Sequence, residues 1–207
     1  MQRFAATLVA EGTSDQALLP FIEFVLDEHC AVPHVTSYAS SLASGPLSDR
    51  IPQALARYPC DLLFIHRDAD RTAVADRELE IRTAALAAGR SVAICIVPVR
   101  MTEAWLLADP LAIRRAAGNP VGTANLGLPT VARLEAQVDP KSLLFAALEA
   151  ASGLGPNRLR RFDRYRARRQ ISGFVEDFDG LRRLPSFRHF ESQVHDFFLQ
   201  FSPEDAC

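Results

Sequence analysis

The chain has 207 residues, of which 48% are hydrophobic and 23% charged, and its formal net charge is −2 at pH 7. These values are ordinary for a globular protein, and they exclude a general electrostatic attraction of the chain to nucleic acid or to anionic membranes. Any nucleic-acid site must therefore be local.

The four cysteines are scattered along the chain, at Cys30, Cys60, Cys95 and Cys207. No pair has the CxxC spacing of a zinc or redox site, and we interpret them as reduced. No apolar run approaches the length of a membrane span, and the apolar part of the first twelve residues is too short for a signal peptide. We therefore expect a soluble, cytoplasmic protein.

Strands and helices alternate in the first half of the chain. Strands are predicted over 4–10, 34–38, 62–65 and 91–97, and helices begin at Thr13, where Thr13 and Gln16 have capping-box spacing, near Ile51 and near Ala73. The Ser/Gly/Pro-rich segment 40–48 is predicted as a loop. This alternation predicts an α/β fold of the Rossmann-like class, with a mainly parallel sheet flanked by helices.

The second half is predicted to be mostly helical. Asp109-Pro110 and Asp139-Pro140 each combine a good N-cap with proline at the first helical position. A last helix over 187–201 carries phenylalanines on one face, which we interpret as core packing. We expect an α/β domain over residues 1–108 and a helical extension over residues 109–207 packed on it.

Carboxylates follow three of the predicted strands. Glu11 follows the first strand, Asp68 and Asp70 follow a short apolar strand, and Glu103 follows a later one. Taken singly, Glu11 is an ordinary turn residue, while Asp15 and Glu103 are carboxylates that favour the start of a helix. Parallel strands bring their carboxyl ends to one edge of the sheet, where α/β proteins bind ligands. Oxygen ligands of this kind suit Mg²⁺ or Mn²⁺.

Arginines crowd the segment 158–169, with Phe162 and Tyr165 between them. On a single helix these arginines would point in almost every direction around the helix axis. The segment is therefore not a clean amphipathic membrane helix. Arginine beside aromatic residues suits phosphate groups and unstacked bases. A solvated, salt-bridged segment packed on the acidic sheet edge fits the same pattern, and the sequence does not decide between the two interpretations.

The pattern Glu11-Gly12-x-x-Asp15 after one strand and Asp68-x-Asp70 after another resembles the Toprim domain of topoisomerases, primases and related nucleases. With Thr102-Glu103, it is most similar to the Toprim nucleases of the overcoming-lysogenisation-defect class. The segments VPVRMTEAWLLADP and LRRLPSFRHFE resemble small standalone Toprim-like proteins that are often encoded beside an ATPase. The motifs lie in about the first half of the chain.

The resemblance implies a Toprim-like fold and a Mg- or Mn-dependent nuclease that hydrolyses phosphodiesters of DNA or RNA, with a role in phage defence. It implies that Asp68 and Asp70 hold the metal and that Glu11 is a general acid/base or a further ligand. Asp15 and Glu103 would complete a second metal position. No catalytic lysine or arginine can be placed, since Lys141 lies outside the matched motifs.

Partners follow from the same interpretation. Nucleic acid is the expected ligand, an ATPase encoded nearby and a second copy of the chain are further candidate partners, and no membrane is expected. The candidate nucleic-acid contacts are the arginines nearest the motifs and those of the basic segment, Arg67, Arg71, Arg100, Arg158, Arg160, Arg161, Arg164 and Arg168.

Two other interpretations stay open. A non-catalytic Toprim-like module would keep the fold for docking to nucleic acid or to a partner protein, and the missing catalytic lysine favours it. Phosphatase-like α/β folds also carry Asp-x-Asp after a strand, but they carry it on the first strand. This chain has Glu11 at that place, so we rank a phosphatase last.

Overall fold

The computed structural model describes residues 3–39, 45–176 and 178–201. Of the loop predicted over 40–48, residues 40–44 lie outside the described part of the chain, as does Cys207. Among the described helices, none has the length and the apolar character that crossing a membrane requires.

A parallel sheet forms the centre of the N-terminal half, which confirms the predicted α/β, Rossmann-like class. Its strands are β1 (Phe4–Val9), β2 (His34–Tyr38), β3 (Leu62–His66) and β4 (Ile94–Ile96). They lie in the spatial order β2-β1-β3-β4, and every neighbouring pair is parallel. The connecting helices are α1 (Leu19–His29), α2 (Leu47–Arg57) and α3 (Val74–Ala87).

The two faces of the sheet bury alternate residues of β3. Leu63 and Ile65 belong to a buried cluster that also contains Ile51 of α2 and Ile81 of α3. Phe64 points to the other face, where its ring lies 6.2 Å from that of Phe190. A strand buried on both faces is a continuous apolar run, as the sequence predicted, because neither face meets water.

The first helical segment begins at Thr13 as predicted, but with a different cap. A 3-10 helix over Thr13–Leu18 precedes α1. Its N-cap is Gly12, whose backbone N–H donates to the Asp15 carboxylate at 2.9 Å. The expected capping box between Thr13 and Gln16 is therefore wrong, because the short Asp15 side chain already satisfies the exposed N–H one residue earlier.

The chain divides into two compact units, residues 1–97 with 189–207 and residues 98–188. This division differs from the expected boundary at residue 108. Trp105 is buried in the second unit, where its indole N–H donates to Ser186 at 2.7 Å and its ring packs on Phe187. The segment after β4 thus belongs with the helices that follow it.

Helices make up the regular structure of the second unit, as predicted for the C-terminal part. They are α4 (Glu103–Leu106), α5 (Pro110–Ala116), α6 (Pro140–Ser152), α7 (Pro156–Leu159) and α8 (Arg164–Gln170), with α9 (Pro185–Gln200) continuing into the first unit. The two predicted N-caps are confirmed. Asp109 accepts the N–H groups of Leu111 and Ala112, and Asp139 accepts that of Ser142.

At the outer edge of β4, the side chain of Gln193 forms hydrogen bonds with the backbone of one residue. The Gln193 amide accepts the N–H of Cys95 and donates to the Cys95 carbonyl, both at 3.0 Å. These are the two hydrogen bonds that a further strand would make with this residue. Gln193 therefore satisfies the backbone at a sheet edge that would otherwise be open to pairing with another chain.

We expect Gln193→Ala to lower the free energy of unfolding by about 1–3 kcal/mol, because it leaves a buried N–H and C=O without partners. Urea denaturation followed by circular dichroism measures this loss. Gln200→Ala, which removes the same side chain from an exposed position of α9, is the control and should change the free energy by less than about 0.5 kcal/mol. Equal values for the two variants would contradict the role of Gln193.

Candidate functional site

The strand order places a topological switch point between the ends of β1 and β3, where open α/β sheets have their crevice. The chain passes from β1 to β2 on one side of the sheet and then crosses back to β3, so β1 and β3 flank the point where the order reverses. Ligands of open α/β sheets bind at such a switch point, beyond the carboxyl ends of the strands. Val9 pairs with Ile65, which places Glu11 and Arg67 two residues beyond the last paired positions.

Opposite charges alternate at this edge. Arg67 forms an ion pair with Glu11 and a second one with Glu80 at 2.8 Å, and Arg77 binds the other Glu80 oxygen at 2.8 Å. The pKa of Arg77 is raised, first by its hydrogen bond to Glu80 and then by the charges of Glu80, Asp70 and Glu11. Glu11 and Asp70 therefore act on the same guanidinium, as expected if the strand ends converge.

A buried histidine stands beside Asp68. His66, the last residue of β3, is 1% exposed. Its Nδ1 lies 3.0 Å from the Ile96 carbonyl, which can only accept, so Nδ1 carries a proton. Its Nε2 lies 3.5 Å from an Asp68 oxygen. His66 and Asp68 are therefore neighbours at the end of β3. His66 was not among the residues predicted from the sequence, although it is the polar end of an otherwise apolar strand.

The backbone at Asp70 is in a left-handed conformation. Its φ is 53°, and the turn around it closes with a hydrogen bond from the Thr72 N–H to the Ala69 carbonyl at 2.8 Å. Aspartate tolerates this region better than most residues, though still at a cost. The turn presents Asp70 as an exposed carboxylate at the mouth of the crevice.

Asp15 serves the turn that follows β1. It is buried, and it accepts hydrogen bonds from the Gly12 N–H and from the Ser14 hydroxyl. Tyr38, at the end of β2, donates its hydroxyl to the Gly12 carbonyl. Burial raises the pKa of Tyr38, and the charge of Asp15 raises it further. These contacts fix the turn from which Glu11 projects.

The predicted ligands do not form a complete protein cage for a metal. Within the described part of the chain, Glu11, Asp15, Asp68 and Asp70 do not supply three ligand atoms within 4.8 Å of one another. Mg²⁺ is commonly held by one or two carboxylates, with water and substrate phosphate completing its shell. Asp68 and Asp70 fit a metal bound in this way.

Glu103 and Arg168 are paired in the second unit. The Arg168 Nε donates to a Glu103 oxygen at 2.8 Å, and the side chains are 7% and 3% exposed. From the sequence we expected Glu103 to hold a metal and Arg168 to contact nucleic acid. The structure instead buries the two charges against each other, which agrees with the alternative that the arginine segment is salt-bridged, although the sequence did not identify the two partners, 65 residues apart.

Most of the other candidate arginines are exposed. Arg158 and Arg161 line a cleft of about 370 Å³ in the second unit, together with Arg166. Arg164 lies over the ring of Phe145, with its guanidinium carbon 4.8 Å from the ring centroid. Of the remaining candidates, Arg71 and Arg160 are exposed, and Arg100 is half-buried with a φ of 65°.

Comparisons of the chain with family models, with curated proteins and with solved structures found no match.

We expect Arg168→Ala to destabilise the protein by about 3–5 kcal/mol, because it leaves the Glu103 carboxylate buried without its counter-charge. Arg169→Ala, at the exposed neighbouring position of the same helix, should cost less than about 0.5 kcal/mol. Chemical denaturation of both variants measures the difference. A similar small effect of both changes would show that the Glu103–Arg168 pair does not stabilise the fold.

Proposed function

We propose that the protein is a divalent-metal-dependent phosphodiesterase that acts on DNA or RNA, with its active site at the carboxyl ends of β1 and β3. The observation that carries the proposal is the position of Glu11, Asp68 and Asp70. All three follow the two strands that flank the switch point of the sheet, where α/β proteins bind ligands. The resemblance to Toprim nucleases supports the same reaction.

Each residue of the site has a role in this reaction. Asp68 and Asp70 would hold Mg²⁺ or Mn²⁺, and the buried ring of His66 lies beside Asp68. A bound divalent cation supplies Lewis-acid polarisation of the phosphoryl group and makes water a better nucleophile at neutral pH. Glu11 accepts the proton of the attacking water. Arg67 leaves Glu11 for a phosphate oxygen of the substrate, which a guanidinium binds in the same planar geometry.

The arginines of the second unit supply affinity rather than chemistry. Arg158, Arg161 and Arg166 line one cleft and are exposed, and phosphate backbones bind such clusters without regard to sequence. Phe162 lines the same cleft and offers a ring on which a base can stack. Binding through these residues weakens as salt is added, because each phosphate contact releases counterions.

A non-catalytic module that binds nucleic acid is the second candidate function. The observation that favours it is that the Arg67 guanidinium pairs with both Glu11 and Glu80, so the charge of Glu11 is already compensated. In such a module these pairs persist, and the charges stabilise the sheet edge instead of holding a metal. If the protein is a phosphodiesterase, substitution of Asp68 abolishes cleavage. If it is a binding module, the wild type does not cleave, and substitution of Asp68 leaves nucleic-acid binding unchanged.

We expect the purified protein to cleave at least one of single-stranded DNA, duplex DNA or RNA in the presence of Mn²⁺ or Mg²⁺. Asp68→Asn should lower the rate by more than about 100-fold, because it removes one of the carboxylates that hold the metal. Asp76→Asn removes the same charge from an exposed position of α3 and should leave the rate within about twofold of the wild-type value. Gel assays with end-labelled oligonucleotides measure the three rates.

Nucleic-acid binding by the same proteins separates the two functions. Cleavage by the wild type that Asp68→Asn abolishes supports the phosphodiesterase. Binding without cleavage by the wild type, unchanged in Asp68→Asn, supports the module. Cleavage that survives in Asp68→Asn would refute the proposed site and point to a contaminating nuclease.

Asp70→Gly should separate stability from activity. Glycine adopts a positive φ at no steric cost, so the free energy of unfolding should equal the wild-type value or exceed it by up to about 1 kcal/mol. Cleavage should nevertheless fall as in Asp68→Asn, because the carboxylate is gone. Thermal denaturation and the cleavage assay on one preparation measure both effects, and full activity in this variant would exclude Asp70 from the site.

A further inference from the structure

A second group of metal-ligating side chains lies in the first unit. Glu28 and His29 are the last two residues of α1, and Glu191 lies on α9. One potential ligand atom from each of these residues lies within 4.8 Å of those of the other two. Among the described residues, no other trio of histidine, cysteine and carboxylate side chains comes this close together.

The histidine of this group has an unsatisfied ring nitrogen. The Nε2 atom of His29 is shielded from solvent and has no hydrogen-bond partner among the described residues. A buried polar atom without a partner is rare in folded proteins and calls for a bound water or ion. A second imidazole adjoins it, since the ring of His195 lies 5.2 Å from that of His29 and one helical turn beyond Glu191.

The topology separates this group from the crevice between β1 and β3. The chain leaves the carboxyl end of β1, and α1 runs back towards the amino end of β2, which begins at His34. Its 11 residues span about 16 Å, so Glu28 and His29 lie towards the opposite edge of the sheet from Glu11. A metal held here has no part in the reaction proposed above.

The donor set identifies the class of metal. An imidazole with two carboxylates suits Zn²⁺ and its neighbours Co²⁺ and Ni²⁺, whereas Mg²⁺ prefers oxygen ligands and water. The position at the end of α1 also favours a cation, because the carboxyl end of a helix carries partial negative charge. Cys30 is not part of the set. Its thiol donates to the Val32 carbonyl at 3.3 Å.

We propose that Glu28, His29 and Glu191 bind one divalent transition-metal ion of the Zn²⁺ class, which ties the end of α1 to α9 within the first unit. Bond lengths of about 2.0–2.2 Å from metal to nitrogen or oxygen require only that the three side chains move together slightly. In this proposal Nε2 of His29 is the ligand nitrogen, and the ion gives it the partner that it lacks among the described residues. The ion joins two helices that are distant in sequence, and its three protein ligands leave a further coordination position for water.

Calorimetric titration with Zn²⁺ tests this site, with Mg²⁺ in excess so that all-oxygen sites are filled. The wild type should bind one equivalent, and Zn²⁺ should raise its midpoint of thermal unfolding. Glu28→Gln and His29→Gln should each weaken Zn²⁺ binding by at least about tenfold and reduce that shift. Glu28 is exposed, so the first of these variants is expected to fold normally, which circular dichroism without metal verifies.

Two controls make the outcome specific. His189→Gln removes an exposed imidazole from α9, the helix that carries Glu191. His189 pairs with Glu78 at 2.7 Å, so this change should leave Zn²⁺ binding unchanged. Asp68→Asn should also retain Zn²⁺ binding, whether or not it retains cleavage. Failure of the zinc site can therefore be distinguished from failure of the proposed phosphodiesterase site. No binding by the wild type, or binding that Glu28→Gln and His29→Gln leave intact, overturns the proposal.

Discussion

The parallel pairing of β1 with β3 is the constraint on which the candidate site depends. Hydrogen bonds hold Val9 opposite Ile65, so the residues that follow the two strands leave the sheet at the same edge. A shift of one residue in this register would turn Leu63 and Ile65 away from the core formed with α2 and α3. The same apolar contacts that stabilise the fold thus bring Glu11 and Asp68 into one crevice.

The charged side chains in that crevice include ion pairs between arginine and glutamate. Carboxylates at one sheet edge repel one another, and the chain offsets that repulsion with Arg67 and Arg77. The guanidinium of Arg67 is partly exposed and can exchange a carboxylate for a phosphate. The Glu103–Arg168 pair is buried, so separating its charges costs far more.

The strand-end carboxylates could be identified from the sequence because their signal is local. A short apolar run followed by Asp68 and Asp70 indicates a buried parallel strand and its ligand-facing end. The partners of these carboxylates could not be identified in this way. Arg77 and Glu80 lie on α3, and only the packing of that helix against the sheet brings them to the strand ends. His66 was not identified because a single polar residue at the end of a strand is common and does not by itself indicate a functional site.

By itself, the sequence determined the α/β class, the presence of the four strands and the two Asp-Pro helix starts, because periodicity, capping and proline act within a few residues of the chain. Limits were less accurate, since β4 is shorter than predicted and α2 begins at Leu47 and not near Ile51. Only the tertiary structure decided which charges neutralise each other, since Glu103 and Arg168 are 65 residues apart and their pairing depends on how the helices of the second unit pack. It also decided that Gln193 covers the edge of β4 and that Glu28, His29 and Glu191 meet. Contacts between distant segments are set by the packing of whole elements, which no local pattern encodes.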